Sequence, residues 1–161
     1  MKNSKLNHTQ NSVPAKSRGA LIALLNQALA DLGDLYSQTK QAHWTIRGTK
    51  FYQLHLLFDA MADTAEEHWD DVAGRAVQIG GYPRGTVRMA AQASQLPEWP
   101  ENISSEADYV KTVADRFART ANSIRAAIDS SADLGDADTA DLFTEISRKL
   151  DKSLWMLEAS S

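Results

Sequence analysis

The sequence predicts an all-α fold, a four-helix bundle whose second and third helices are joined by one long crossover containing a short helix. Two observations predict it. Apolar residues recur at three- and four-residue spacing in four long segments, and helix-breaking prolines and glycines collect between the second and third of them. The 161 residues suit one domain, and 43% hydrophobic against 24% charged residues supply enough apolar surface for one core.

Residues 1–18 read as a mobile basic tail, rich in Lys, Asn, Ser, Thr and Gln, and residues 19–161 as the bundle domain. The first helix carries Leu21, Leu25, Ala28, Leu32, Leu35 and Thr39 on one stripe. Gly48 can close it in a left-handed cap, and Thr49 can cap the next helix. The second helix is expected from about Lys50 to Ile79, where Leu54, Phe58, Met61, Ala65, Trp69, Val72 and Ala76 hold one face and Gly80-Gly81 ends it. Pro83, Pro97 and Pro100 punctuate the crossover, leaving room for a short helix near Arg88 to Ala93. Ser105 with Asp108 resembles a capping box for the third helix. Asp136 or Asp138 can cap the fourth, whose stripe includes Leu142, Ile146, Leu150, Leu154 and Leu157.

Short links make two antiparallel hairpins, and a crossover long enough to return along the bundle makes the second and third helices parallel. This is the ferritin-like topology.

The chain has no cysteine, which excludes disulfides, thiolate nucleophiles and cysteine-held clusters. Any bound metal must use nitrogen or oxygen ligands. No apolar run is long enough for a membrane span or signal core, so a cytoplasmic protein without membrane contact is expected, with nucleoid association. The net charge of −4 conceals an asymmetry: Lys2, Lys5, Lys16 and Arg18 precede the first acidic residue, Asp31, and 13 basic residues then face 21 acidic ones.

At about 100° per residue, His55, Asp59, Glu66 and Asp70 fall within about 60° of one another on the second helix. His43, near the end of the first helix, can reach the same face across the hairpin. Imidazole plus carboxylate suits ferrous iron, with manganese or zinc as alternatives. A solvated face ion-paired to Arg or Lys is the plain structural reading. A di-iron core drawn from all four helices is excluded, because the third and fourth helices contain no histidine. One-sided ligands call for completion by a second copy across a twofold axis.

Five segments carry a family resemblance: TKQAHWTIRG at 39–48, HLLFD at 55–59, HWDDVA at 68–73, AVQIGG at 76–81 and DKSLW at 151–155. Together, over roughly residues 20 to 158, they resemble the DNA-binding proteins from starved cells, the miniferritin branch of the ferritin-like proteins. The resemblance implies that His43, His55, Asp59 and Asp70 are catalytic metal ligands or supports at a dimer interface. It further implies a homo-oligomeric shell of twelve subunits built from dimers. Such a shell oxidises Fe2+ to Fe3+, preferentially with hydrogen peroxide, stores the mineral, uses no organic cofactor and in many members binds DNA. One position departs from the pattern: Gly74 stands where a glutamate is expected four residues after Asp70, so one iron position is expected to be stronger than the other.

Trp44 and Trp155 are candidates for radical quenching or for packing. Asp129, Asp133, Asp136, Asp138 and Asp141 either solvate and cap the turn before the fourth helix or line an iron-entry pore in a threefold shell. Lys2, Lys5, Lys16 and Arg18 are candidate nonspecific DNA contacts. A noncatalytic nucleoid or shell protein that binds DNA, with weakened iron chemistry, is the alternative.

Overall fold

The computed structural model describes residues 6–160. Its described elements are five helices in chain order: α1 (Ala15–Thr45), α2 (Phe51–Gln78), α3 (Val87–Ala93), α4 (Glu106–Asp133) and α5 (Ala137–Glu158). Helices α1, α2, α4 and α5 form the bundle, with α1 packed along α2 and α4 along α5. Leu21, Leu25, Leu32 and Leu35 of α1 meet Phe58 and Val72 of α2, Phe117 of α4 and Phe143, Ile146 and Leu150 of α5 in one core. Each of those side chains is fully excluded from water, so the stripes read from the sequence are the packed faces.

The helix ends follow local chemistry. Gly80 has φ 86°, the Gly80 amide donates to the Val77 carbonyl and the Gly81 amide to the Ala76 carbonyl. That pair of bonds is a Schellman closure of α2, and Gly135 at φ 82° closes α4 in the same way. The Ser105 hydroxyl accepts from the Asp108 amide at the start of α4, and the Asp136 carboxylate accepts from the Thr139 amide at the start of α5. Thr86 caps α3 by accepting from Met89.

Two expectations are corrected. Thr49 does not cap α2; Lys50 is the N-cap residue, without a side-chain capping bond. The Glu106 carboxylate at the start of α4 accepts the Lys50 amide instead, lying so close to Gly48 that a Cβ there would collide with it. Helix α1 also begins at Ala15, so Lys16 and Arg18 lie in its first turns rather than in a tail. Arg18 donates to the Asn11 and Val13 carbonyls, the Asn7 amide to Gly80 at 2.8 Å, and the Thr9 hydroxyl to Gln78 at 3.4 Å. Residues 7–13 are thereby tied to the bundle; Lys2 and Lys5 lie outside the described residues.

The crossover is held by polar groups rather than by a long helix of its own. Asp31, buried at 2% exposure, accepts the Gln95 amide at 2.8 Å, Asp34 accepts from Ser94 at 2.6 Å, and Gln38 donates to the Pro97 carbonyl at 2.9 Å. Arg116 of α4 then donates to Gln38 and to the Glu98 carbonyl. These bonds satisfy the buried Asp31, Gln38 and Arg116, which would otherwise be left unpaired.

Candidate metal centre

The Gly48 turn sets the last turn of α1 beside the first turns of α2, and two histidines meet there. The His43 and His55 rings stack with centroids 3.8 Å apart and planes 18° apart. His43 Nδ1 lies 2.9 Å from the His55 carbonyl oxygen, and His55 Nδ1 lies 2.8 Å from the His43 carbonyl oxygen. A carbonyl oxygen only accepts, so each Nδ1 carries a proton, and the lone pair of the corresponding neutral tautomer lies on Nε2. This is how proteins orient an imidazole for a metal: the backbone takes one nitrogen and leaves the other as ligand.

Asp59, one turn beyond His55, joins the pair. Its Oδ1 is 3.6 Å from His43 Nδ1, too far for a hydrogen bond, and 2.6 Å from Lys40 Nζ. The Lys40 hydrogen bond holds the Asp59 carboxyl below its ordinary value, and the same bond raises the Lys40 ammonium above its own. Phe51 also stacks with His55, with centroids 5.1 Å apart.

Asp70 is not part of this cluster. It lies eleven residues beyond Asp59 on the same helix, about 16 Å away at the α-helical rise, and is exposed in a groove with Asp63, Glu66, Glu67 and Trp69. Among the described residues no three His, Asp or Glu side chains converge on one metal position. Within one chain, His43, His55 and Asp59 are brought together and Asp70 is held apart. Gly74 is exposed one turn beyond Asp70, with open space where a Cβ would stand.

The remaining candidates divide by environment. Trp44 and Trp155 are 66% and 62% exposed, so neither packs in this chain's core. Asp129, Asp133, Asp138 and Asp141 are exposed. Asp136 is 3% exposed and accepts two bonds from Arg75 Nη2, at 2.7 and 3.0 Å, besides one from the Thr139 hydroxyl. Burial raises its pKa, but the Thr139 and Arg75 bonds outweigh that and leave it below the ordinary value. It is a buried clasp between α2 and α5. Lys16 is exposed, while Arg18 is engaged with the backbone of residues 11–13.

A family model described as "Ferritin-like domain" matches residues 22–160. The chain is 40% identical over 155 residues to the "DNA protection during starvation protein" of Agrobacterium fabrum, covering 96% of both chains. It belongs to the ferritin-like family, in its starvation-protein branch. Among solved ferritin-like structures, DpsC from Streptomyces coelicolor superposes with a TM-score of 0.92 at 27% identity, covering 97% of this chain and 91% of that one. A Dps protein from Bacillus brevis gives a TM-score of 0.84 at 29% identity, covering 91% and 97%. The ferritin-like bundle with its long crossover is therefore the fold anticipated from the stripes. Lys40, Arg75 and Glu106 are the polar partners that the sequence reading missed. Lys40 alone had a signal: it lies three residues before His43, on the same helical face.

Proposed function

We propose that the protein is an oligomeric ferroxidase and iron store, in which His43, His55 and Asp59 of one subunit and Asp70 of another bind ferrous iron. The observation that carries the reading is the reciprocal hydrogen bonding of His43 and His55 beside Asp59. It leaves two imidazole Nε2 atoms and one carboxylate at a hairpin where, among the described residues, no further ligand converges. Twofold apposition of α2 would supply that ligand from the partner's copy of the stripe. The family relationship supports a shell of twelve subunits built from dimers.

Iron enters as substrate. Two ferrous ions each lose one electron to hydrogen peroxide; its O–O bond breaks and, with two protons, two waters form. The chain's part is placement: neutral imidazoles and the carboxylates hold the cations beside the oxidant and set the charge around them. Asp59 must exchange its Lys40 partner for the cation. Gly74 supplies no carboxylate, which favours one strong iron position and one weak. The exposed Asp129, Asp133, Asp138 and Asp141 would concentrate cations at a threefold mouth. Ferric mineral is the product, no organic cofactor takes part, and the setting is cytoplasmic.

DNA protection is the coupled activity, supported by the name of the Agrobacterium relative and by the basic amino-terminal region. With Arg18 engaged in backbone bonds, the amino-terminal contribution would rest on Lys2 and Lys5 and on Lys16 in the first turn of α1. Binding would be nonspecific and would fall with salt.

The test is anaerobic ferrous titration of the purified protein followed by peroxide addition. The reading predicts saturable binding and consumption of about one peroxide per two ferrous ions. Consumption nearer one per iron, with trapped radical, would reject paired oxidation; absent oxidation with intact DNA binding would establish the noncatalytic alternative.

A further inference from the structure

We infer that the crossover, and not the tail alone, forms the nucleic-acid surface, with Arg84 and Arg88 contacting phosphates beside Lys16 and the tail. This rests on the DNA-binding part of the proposed function and adds residues to it.

The charge is segregated in the sequence. Residues 1–30 and 72–97 contain no acidic residue and seven of the 17 basic ones, while the rest of the chain holds all 21 acidic residues. The fold joins the two acid-free segments. The Asn7 amide bonds Gly80, Asn26 donates to the Tyr82 carbonyl at 3.2 Å and accepts the Arg84 amide at 2.8 Å, and Gln27 donates to the Ala93 carbonyl at 3.1 Å. Thus the loop carrying Arg84 and the helix carrying Arg88 lie along the first half of α1, next to the point where the tail arrives.

Carboxylates stand only at the edges of this surface: Asp63, Glu66, Glu67 and Asp70 line a groove with Pro83, Gly85 and Thr86, and Asp136 and Asp138 adjoin residues 11–13. Lys16, Arg84 and Arg88 are exposed, and among the described residues none of them takes part in an ion pair. The first acidic residues of α1 turn toward the crossover and are occupied by it, Asp31 by the Gln95 amide and Asp34 by Ser94. Tyr82, 58% exposed between the tail contact and Arg84, adds an aromatic side chain with a hydroxyl to the same surface. Unpaired guanidinium groups set among acid-free backbone are a match for a phosphate chain, which they would hold without reading bases. The acidic groove at Asp63 and Glu66 borders the other edge of the crossover, so a second copy of the chain is the competing occupant for the arginines.

The experiment compares duplex DNA binding by the full chain, Arg84→Gln/Arg88→Gln, a deletion of residues 1–5, and a charge-matched control, Arg148→Gln/Lys152→Gln on α5. Native mass is measured for each. The inference predicts that the crossover variant keeps the native oligomer, binds severalfold more weakly, and lowers the slope of log affinity against log salt by about 1.8 per contacting protomer. The control should bind like wild type. Equal losses in both double variants would reduce the effect to net charge, and a dissociated oligomer would assign the arginines to a second copy; either result overturns the inference. If the tail deletion abolishes binding while the crossover variant is unaffected, DNA binding stands and this surface does not. If wild type fails to bind DNA at low salt, both fall.

Discussion

Lys40 Nζ stands 2.6 Å from Asp59 Oδ1, so the carboxylate closest to the paired histidines already has a cation. Any ferrous ion that uses Asp59 competes with that ammonium. Replacing Lys40 with Met removes the competitor and one positive charge, and should tighten ferrous binding severalfold in an anaerobic titration. Weaker binding in the variant would instead make Lys40 a positioning group that orients Asp59.

Gly74 has open space at its Cβ direction, one turn past Asp70 on an exposed part of α2. Gly74→Glu should therefore be accommodated without repacking, and replacing an interior helical glycine should stabilise the protein by roughly 0.5–1 kcal/mol. It should also equalise the two iron positions. Thermal unfolding measures the first effect and iron per dimer at site saturation the second; an unchanged stoichiometry would show that Gly74 is not what weakens the second position.

The Arg75–Asp136 clasp makes a prediction for acid. The pKa of Asp136 is lowered from 3.8 in the folded chain, so the unfolded chain binds the proton more readily. The clasp is thus fully stabilising above about pH 4 and is lost as pH falls through the folded value. Asp136→Asn leaves the buried Arg75 guanidinium with only the exposed Asp138, 3.9 Å away, as counter-charge and should cost about 3 kcal/mol near neutrality. The gap between variant and wild type should narrow on acidification in denaturant titrations; a gap that widens would contradict the assignment.

Trp44 and Trp155 are exposed in the single chain, so changing either to Phe should shift the stability of the isolated fold by less than about 0.5 kcal/mol. A rise in trapped radical during turnover, with unchanged oxidation rate, would mark the indole as an electron donor. No rise would count against electron donation.

The bundle was legible because Leu25, Phe58, Phe117 and Ile146 keep helical spacing, and because Gly80 and Gly135 sit where chains must turn left-handed. The start of α1 was not, since Lys16 and Arg18 look like tail residues until Arg18 is seen bonding back to Asn11 and Val13. The histidine pair was legible as a face of α2 plus a neighbour across the hairpin. Its tautomers were not, because they depend on carbonyl groups twelve residues away. Asp136 illustrates the same limit: its sequence neighbours suggest a solvated acidic turn, and only Arg75, 61 residues earlier, makes it a buried clasp.

The central claim is that one chain brings His43, His55 and Asp59 while another brings Asp70. Coexpression of His55→Ala and Asp70→Asn chains in one shell tests it, read as ferrous oxidation per subunit. Each variant alone should be inactive, and random mixed shells should recover about a quarter of wild-type activity, because only pairs with an intact histidine side facing an intact Asp70 work. Mixed shells as inactive as the two parents would place every ligand in one chain and contradict the account.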